Sequence, residues 1–170
     1  DAATSGHNNT SVGSYALSST VDGTDNTVVG MSAFNADCGD YNTGLGAYAG
    51  NYTTGTSNAY IGYLAGGYAT STDHNVAVGR EALRGQGSST NVTGNANIAI
   101  GSYALDAATD NEQNIAIGYN AATALNSGEN YNIAIGTSAL ATENSGADGC
   151  IAIGHKALED QNTASGGNTA

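Results

Sequence analysis

The five residues Asn132-Ile133-Ala134-Ile135-Gly136, followed three residues on by Ala139, return in variant form along the whole chain. A unit this short, copied this often, restricts the fold to a stack of similar coils. Complete units start at Asn9, Asn26, Asn42, Asn58, Asn75, Asn97, Asn114, Asn132 and Cys150, in steps of 16 to 18 residues apart from one of 22 after Asn75. With each start as position zero, position four is glycine in every unit, as at Gly118 and Gly136, and position seven is alanine, as at Ala121 and Ala139. Position three is always aliphatic, from Val12 to Ile153.

A strand-helix-strand unit needs about 30 residues, so a period near 17 leaves no room for one. The pattern predicts an all-β chain, a parallel β-solenoid of about nine coils with a 16–18 residue repeat, each coil made of two short strands and two corners. Residues 1–8 read as a lead-in, and 9–170 as one domain. An insertion lies at 85–94 and an incomplete tenth coil at 168–170. At about 4.8 Å per coil, nine coils make a rod on the order of 45 Å long.

Each recurring residue has its own cause. Gly118 and Gly136 fit a corner that needs positive φ or close backbone approach. Ala121 and Ala139 fit a thin core that a larger side chain would overpack. Asn114 and Asn132 would lie above one another and hydrogen-bond along the stack, with Cys150 interrupting that ladder once.

Strand alternation sends positions one and three to one face and position two to the other, yet all three are apolar in the last four units. Both faces therefore call for burial. A coil this small has one interior, so the second face is expected to meet another chain, with the small alanine at position two allowing close approach. Ile117 is then interior, and its truncation to alanine is expected to cost about 2–5 kcal/mol.

Fifteen acids against three bases, Arg80, Arg84 and Lys156, give a net charge of -12. That charge repels phosphate backbones and anionic lipid, which argues against nucleic-acid partners and membrane binding. No apolar run approaches the roughly 18 residues of a membrane span, which argues against insertion. With charged residues at 11% and no proline or tryptophan, the surface must be mostly Ser, Thr, Asn and Gly, as suits an extracellular setting.

The unit Asn-x-Ala-Ile-Gly-x-x-Ala-Leu resembles the head repeats of trimeric autotransporter adhesins, and more closely the Asn-Thr-Ala-Ile-Gly-Tyr-x-Ala-Leu repeats of bacteriophage tail fibres. The likeness covers about residues 9–158. It implies a parallel β-roll, three chains side by side, and a place outside the cell, on a cell surface or on a virion. The period is longer than the adhesin head's, and no coiled-coil stalk or membrane anchor accompanies it.

The sequence carries no enzyme motif. His7, His74 and His155 fall in different coils with no carboxylate pattern around them. No catalytic residue, metal ligand or cofactor is assigned. Asp22 with Asp25, and Asp37 with Asp40, could each offer oxygens to calcium, but solvated turns are the commoner use of such pairs. Cys38 and Cys150 stand about seven coils apart, beyond the reach of an intrachain disulfide, which leaves a buried thiol or a bridge between chains. Tyr48, Tyr52 and Tyr63 are candidate contacts, either for sugars or for packing between chains in place of the leucines missing at Gly50 and Gly66.

Neither end of the stack has a cap, so a continuing polypeptide or a second copy docked head to tail is expected to cover each. The composite expectation is a non-catalytic structural fibre protein, homotrimeric, stacked end to end as an extracellular filament or tail-fibre shaft. The alternative is an adhesin or receptor-binding head using its tyrosines against surface glycans. Ice binding would need a longer threonine array than Thr10, Thr27 and Thr43.

Overall fold

The computed structural model describes residues 6–85, 94–125, 128–142, 148–159 and 167–170. Within them the chain forms a parallel β-solenoid. Its strands are β1 (Thr10–Val12), β2 (Thr27–Val29), β3 (Thr43–Leu45), β4 (Ala59–Ile61), β5 (Val76–Val78), β6 (Ile98–Ile100), β7 (Ile115–Ile117), β8 (Ile133–Ile135) and β9 (Ile151–Ile153). They pair in chain order into a single sheet of 9 strands. Equivalent repeat positions lie side by side, with Ile115 opposite Ile133 and Ile117 opposite Ile135.

Only one side of each coil is a strand, not the two expected. The second apolar segment, from glycine at position four to position eight, is a run of turns. Positions six and eight take left-handed backbone, as at Tyr103 (φ 61°) and Leu105 (φ 51°). This conformation costs a side-chain-bearing residue roughly 1–2 kcal/mol. Hydrogen bonds between coils offset that cost, since the Leu105 amide donates to the Ala121 carbonyl at 3.0 Å and the Tyr103 amide to the Arg80 carbonyl at 3.0 Å. The turn side is thus stitched along the axis as the strand side is.

The glycine at position four is required twice over. Gly118 has φ +139°, and a Cβ there would lie 2.5 Å from the Gly136 carbonyl oxygen of the next coil. The backbones approach so closely that no side chain fits between them.

The interior contradicts one expectation. Position two points inward, with Ala99, Ala116, Ala134 and Ala152 fully buried, and meets the position-seven alanines Ala104, Ala121 and Ala139 and the leucines Leu105 and Leu140. The isoleucines at positions one and three point outward, and Ile117 is half-buried rather than interior. The physical reason is room. Opposed Ala and Leu already fill so flat a coil, and an isoleucine pair would overpack it.

Where large residues enter, neighbours shrink. Phe34 stacks on Tyr60 with ring centroids 5.6 Å apart. A Cβ on Gly44 or Gly50 would strike Phe34 at 2.7 or 2.6 Å, and one on Gly66 would strike Tyr60 at 2.4 Å. Phe34 and Tyr60 of the same chain, rather than tyrosines between chains, therefore compensate for the missing leucines at Gly50 and Gly66. The buried Tyr60 hydroxyl pairs with Thr72 Oγ1 at 3.0 Å, and burial raises its pKa.

The lead-in is more regular than expected from residue 6 onward. The Gly6 amide donates to the Val21 carbonyl, and the His7 carbonyl accepts from the Asp25 amide. At the other end, Thr169 pairs in parallel with Ile151. Most of the insertion at 85–94 lies outside the described residues.

Candidate functional site

Asn114 and Asn132 are interior. Asn114 Oδ1 accepts the Asn132 amide at 2.9 Å, and Asn132 Oδ1 accepts the Cys150 amide at 2.8 Å. The ladder therefore still reaches Cys150 through its backbone. Asn114 Nδ2 turns the other way, donating to the Glu129 carbonyl at 2.9 Å. Each asparagine ties its own strand to the next coil and to a corner. Gly118 and Gly136 lie at the corner after the strand, and Ala121 and Ala139 lie in the core, so all six of these repeat residues serve the stack.

A second ladder, absent from the sequence reading, runs two residues ahead of the first. Asp40 Oδ1 accepts the Thr24 amide at 2.8 Å, Asp73 Oδ1 accepts the Thr56 amide at 2.7 Å, and Asn95 Oδ1 accepts the Asp73 amide at 2.7 Å. Asp148 Oδ1 likewise accepts the Asn130 amide at 2.7 Å. Here the side chain belongs to the later coil, whereas in the asparagine ladder it belongs to the earlier one. The pair grips each corner from above and below. The signal was available as Asp or Asn recurring at position minus two.

Two turn acids outside this ladder also bond to the neighbouring coil. Asp37 Oδ1 accepts the Val21 amide at 2.7 Å, and Asp25 Oδ1 accepts from Asn8 Nδ2 at 3.0 Å. Asp22, Asp37 and Asp40 border a shallow cleft of about 280 Å³. Among the described residues, no group of three or more His, Cys, Asp or Glu is placed to hold a metal ion. His7, His74 and His155 sit at coils one, five and nine. Cys38 and Cys150 are both buried free thiols. Burial pushes the Cys38 thiol up, although Thr20 Oγ1 lies 3.3 Å from its Sγ.

Arg80, Glu81, Arg84 and Asp106 form a charged cluster. Glu81 is buried and receives Arg80 Nε at 2.9 Å and Arg84 Nη1 at 2.5 Å, while Arg84 Nε lies 3.0 Å from Asp106 Oδ1. Burial pushes the Asp106 carboxyl up to about 6 against the pull of Arg84, and Glu81 adds to the rise. Arg80 also covers the Tyr103 ring, 5.5 Å from its centroid.

The candidate tyrosines Tyr48, Tyr52 and Tyr63 lie outside the core. Tyr48 and Tyr63 meet edge to face at 6.1 Å, and Tyr52 stacks on Tyr68 at 5.5 Å. Tyr52 and Tyr63 are each 47% exposed. The structure therefore joins Tyr48 to Tyr63 and leaves Tyr52 in a separate pair.

The outward face of the sheet is a continuous surface. Along position one it runs Thr10, Thr27, Thr43, Ala59, Val76, Ile98, Ile115, Ile133 and Ile151, and along position three it is aliphatic throughout. Ile100 is 38% exposed and Ile153 58%. Two adjoining columns thus present an uncharged and, from β5 to β9, wholly aliphatic strip on a rigid sheet. Apolar patches of this continuity mark interaction surfaces. No family model, curated protein or solved structure matches the chain.

Proposed function

We propose that the chain is a non-catalytic structural rod whose copies associate side by side through the outward sheet face and end to end along the axis, as an extracellular filament or fibre shaft. The observation that supports this most is the aliphatic strip. Eight isoleucines from Ile98 to Ile153 stand on it at positions one and three, unable to fit a core already filled by alanine and leucine. Covering each half-exposed isoleucine contributes on the order of 1 kcal/mol. A strip of that length favours association far more than isolated surface residues do. Three copies around a common axis, the number the repeat's resemblance implies, would enclose the strips on all sides.

Light scattering on the purified chain tests this reading. The wild type should give a mass near three times the 16.8 kDa of one chain, or more where rods join end to end. Ile115→Asp with Ile117→Asp should reduce it toward a single chain. A wild type of 16.8 kDa at every concentration would reject the proposal.

A second reading, adhesion to glycans, is favoured by the stacked Tyr52 and Tyr68. They lie on the turn side, away from the strip, and would stay open in the assembly. A glycan array with wild type and Tyr52→Ala tests it, signal lost in the variant being the supporting result and no signal in either the contrary one.

A further inference from the structure

The strip has two borders, and on the four rungs where one border carries a tyrosine the other carries none. On one border, position minus one is tyrosine at Tyr41 and Tyr131, and on those rungs position five is Ala47 or Thr137. On the other border, position five is tyrosine at Tyr63 and Tyr119, and on those rungs position minus one is Ser57 or Gln113. The ninth rung sets Gly149 against His155. Tyr41, Tyr63, Tyr119 and Tyr131 are all well exposed. Within one chain the paired positions stand at opposite ends of a nearly extended segment, roughly 18–20 Å apart, and cannot touch. The size match has no use inside a single copy.

Charge divides the same way. Positions minus two and minus one carry Asp25, Asp40, Asp73, Glu112 and Asp148, with no lysine or arginine. Positions five and six carry Arg80 and Lys156, with Glu81 their one acid. Arg80 shares its rung with Asp73, and Lys156 shares its rung with Asp148. Rotation about an axis along the rod brings unlike borders together at equal height. Turning one copy end over end instead places acidic border on acidic border.

We propose that the minus-one border of one copy seats against the position-five border of the next on the same rung, so that the two borders fix a parallel, in-register alignment of identical chains. This rests on the side-by-side association proposed above and adds its geometry. Tyr131 of one copy covers Thr137 of its neighbour, Tyr63 covers Ser57, and Asp73 and Asp148 face Arg80 and Lys156. The bases keep their own contacts, Arg80 with Glu81 and Lys156 with Glu159.

Paired cysteines in the full chain test this. Tyr131→Cys with Thr137→Cys should form disulfides between copies under mild oxidation, and Tyr41→Cys with Ala47→Cys should repeat the result on the third rung. Tyr131→Cys with Arg80→Cys, three rungs or about 14 Å out of step, should yield roughly tenfold less, because a disulfide needs Cα atoms within about 7 Å. Light scattering on each variant reports association separately. Associated chains whose in-register pairs fail to link, or link no better than the out-of-step pair, would overturn the border pairing and leave side-by-side association standing. Chains that do not associate would overturn both.

Discussion

Asn114→Ala removes one rung of the interior ladder and allows its weight to be worked out. The wild-type side chain accepts from the Asn132 amide at 2.9 Å and donates to the Glu129 carbonyl at 2.9 Å, all in a fully buried setting. After truncation the Glu129 carbonyl keeps a second donor, Asn111 Nδ2 at 3.1 Å, so its loss is small. The Asn132 amide loses its acceptor in a site without room for much water, which costs about 1–3 kcal/mol. Adding a small void and the second bond gives about 2–4 kcal/mol. Coils in a solenoid touch only their neighbours, so the loss should be read locally. Hydrogen exchange does this. The Ile115 and Ile133 amides should open roughly 30-fold to 700-fold more often in the variant, by the rule that 1.4 kcal/mol is tenfold. Ser71→Ala, exposed and away from the strip and its borders, serves as the control. Exchange no faster than in that control would refute the idea that the buried amide column holds neighbouring coils together.

Three further outcomes are expected. Gly66→Ala puts a Cβ 2.4 Å from the Tyr60 ring at φ +60°, and should lower stability by about 2–4 kcal/mol in chemical denaturation through overpacking and backbone strain together. Ala96→Gly changes stability in the opposite sense, because exposed Ala96 holds φ 58°, and relief of that strain should raise stability by up to about 1 kcal/mol in the same assay. Asp106, raised from 3.8 to about 6, binds its proton more tightly folded than unfolded, so its contribution to stability is present below pH 3.8 and is lost as pH rises to about 6. The stability of wild type relative to Asp106→Asn should therefore fall across that window, and a constant difference would contradict the assignment.

The stack, its register and the causes of its invariant residues were legible because each is repeated. Gly118, Ala121 and Asn114 each recur in one environment, respectively a positive-φ corner, the buried core and the interior amide column. Which face lies inside was harder to read. Period two says only that positions one and three oppose position two, and in Ile133-Ala134-Ile135 all three residues are apolar. The deciding clue was in the irregular half. Phe34 at position eight and Tyr60 at position two coincide with glycines at positions two and eight of neighbouring coils, which means that these positions face one another across the core. The isoleucines then belong outside. The left-handed turns at Leu105 and Leu140 could not be seen, because leucine rarely adopts that backbone and nothing in its identity announces it. The outer ladder through Asp40, Asp73 and Asp148 was visible as composition, but Asp40 was read as part of a solvated turn. Its partners are backbone amides one coil away, which no local spacing reveals. The border pairs were hidden for a related reason, since their match appears only when the two edges of a rung are compared.

Electron cryo-microscopy of the purified wild-type protein bears most directly on the association of these rods. Particles should show rods with a layer spacing of about 4.8 Å, set parallel with their isoleucine strips turned inward against one another. Solitary rods, with Ile98 to Ile153 facing solvent at all concentrations, would contradict it.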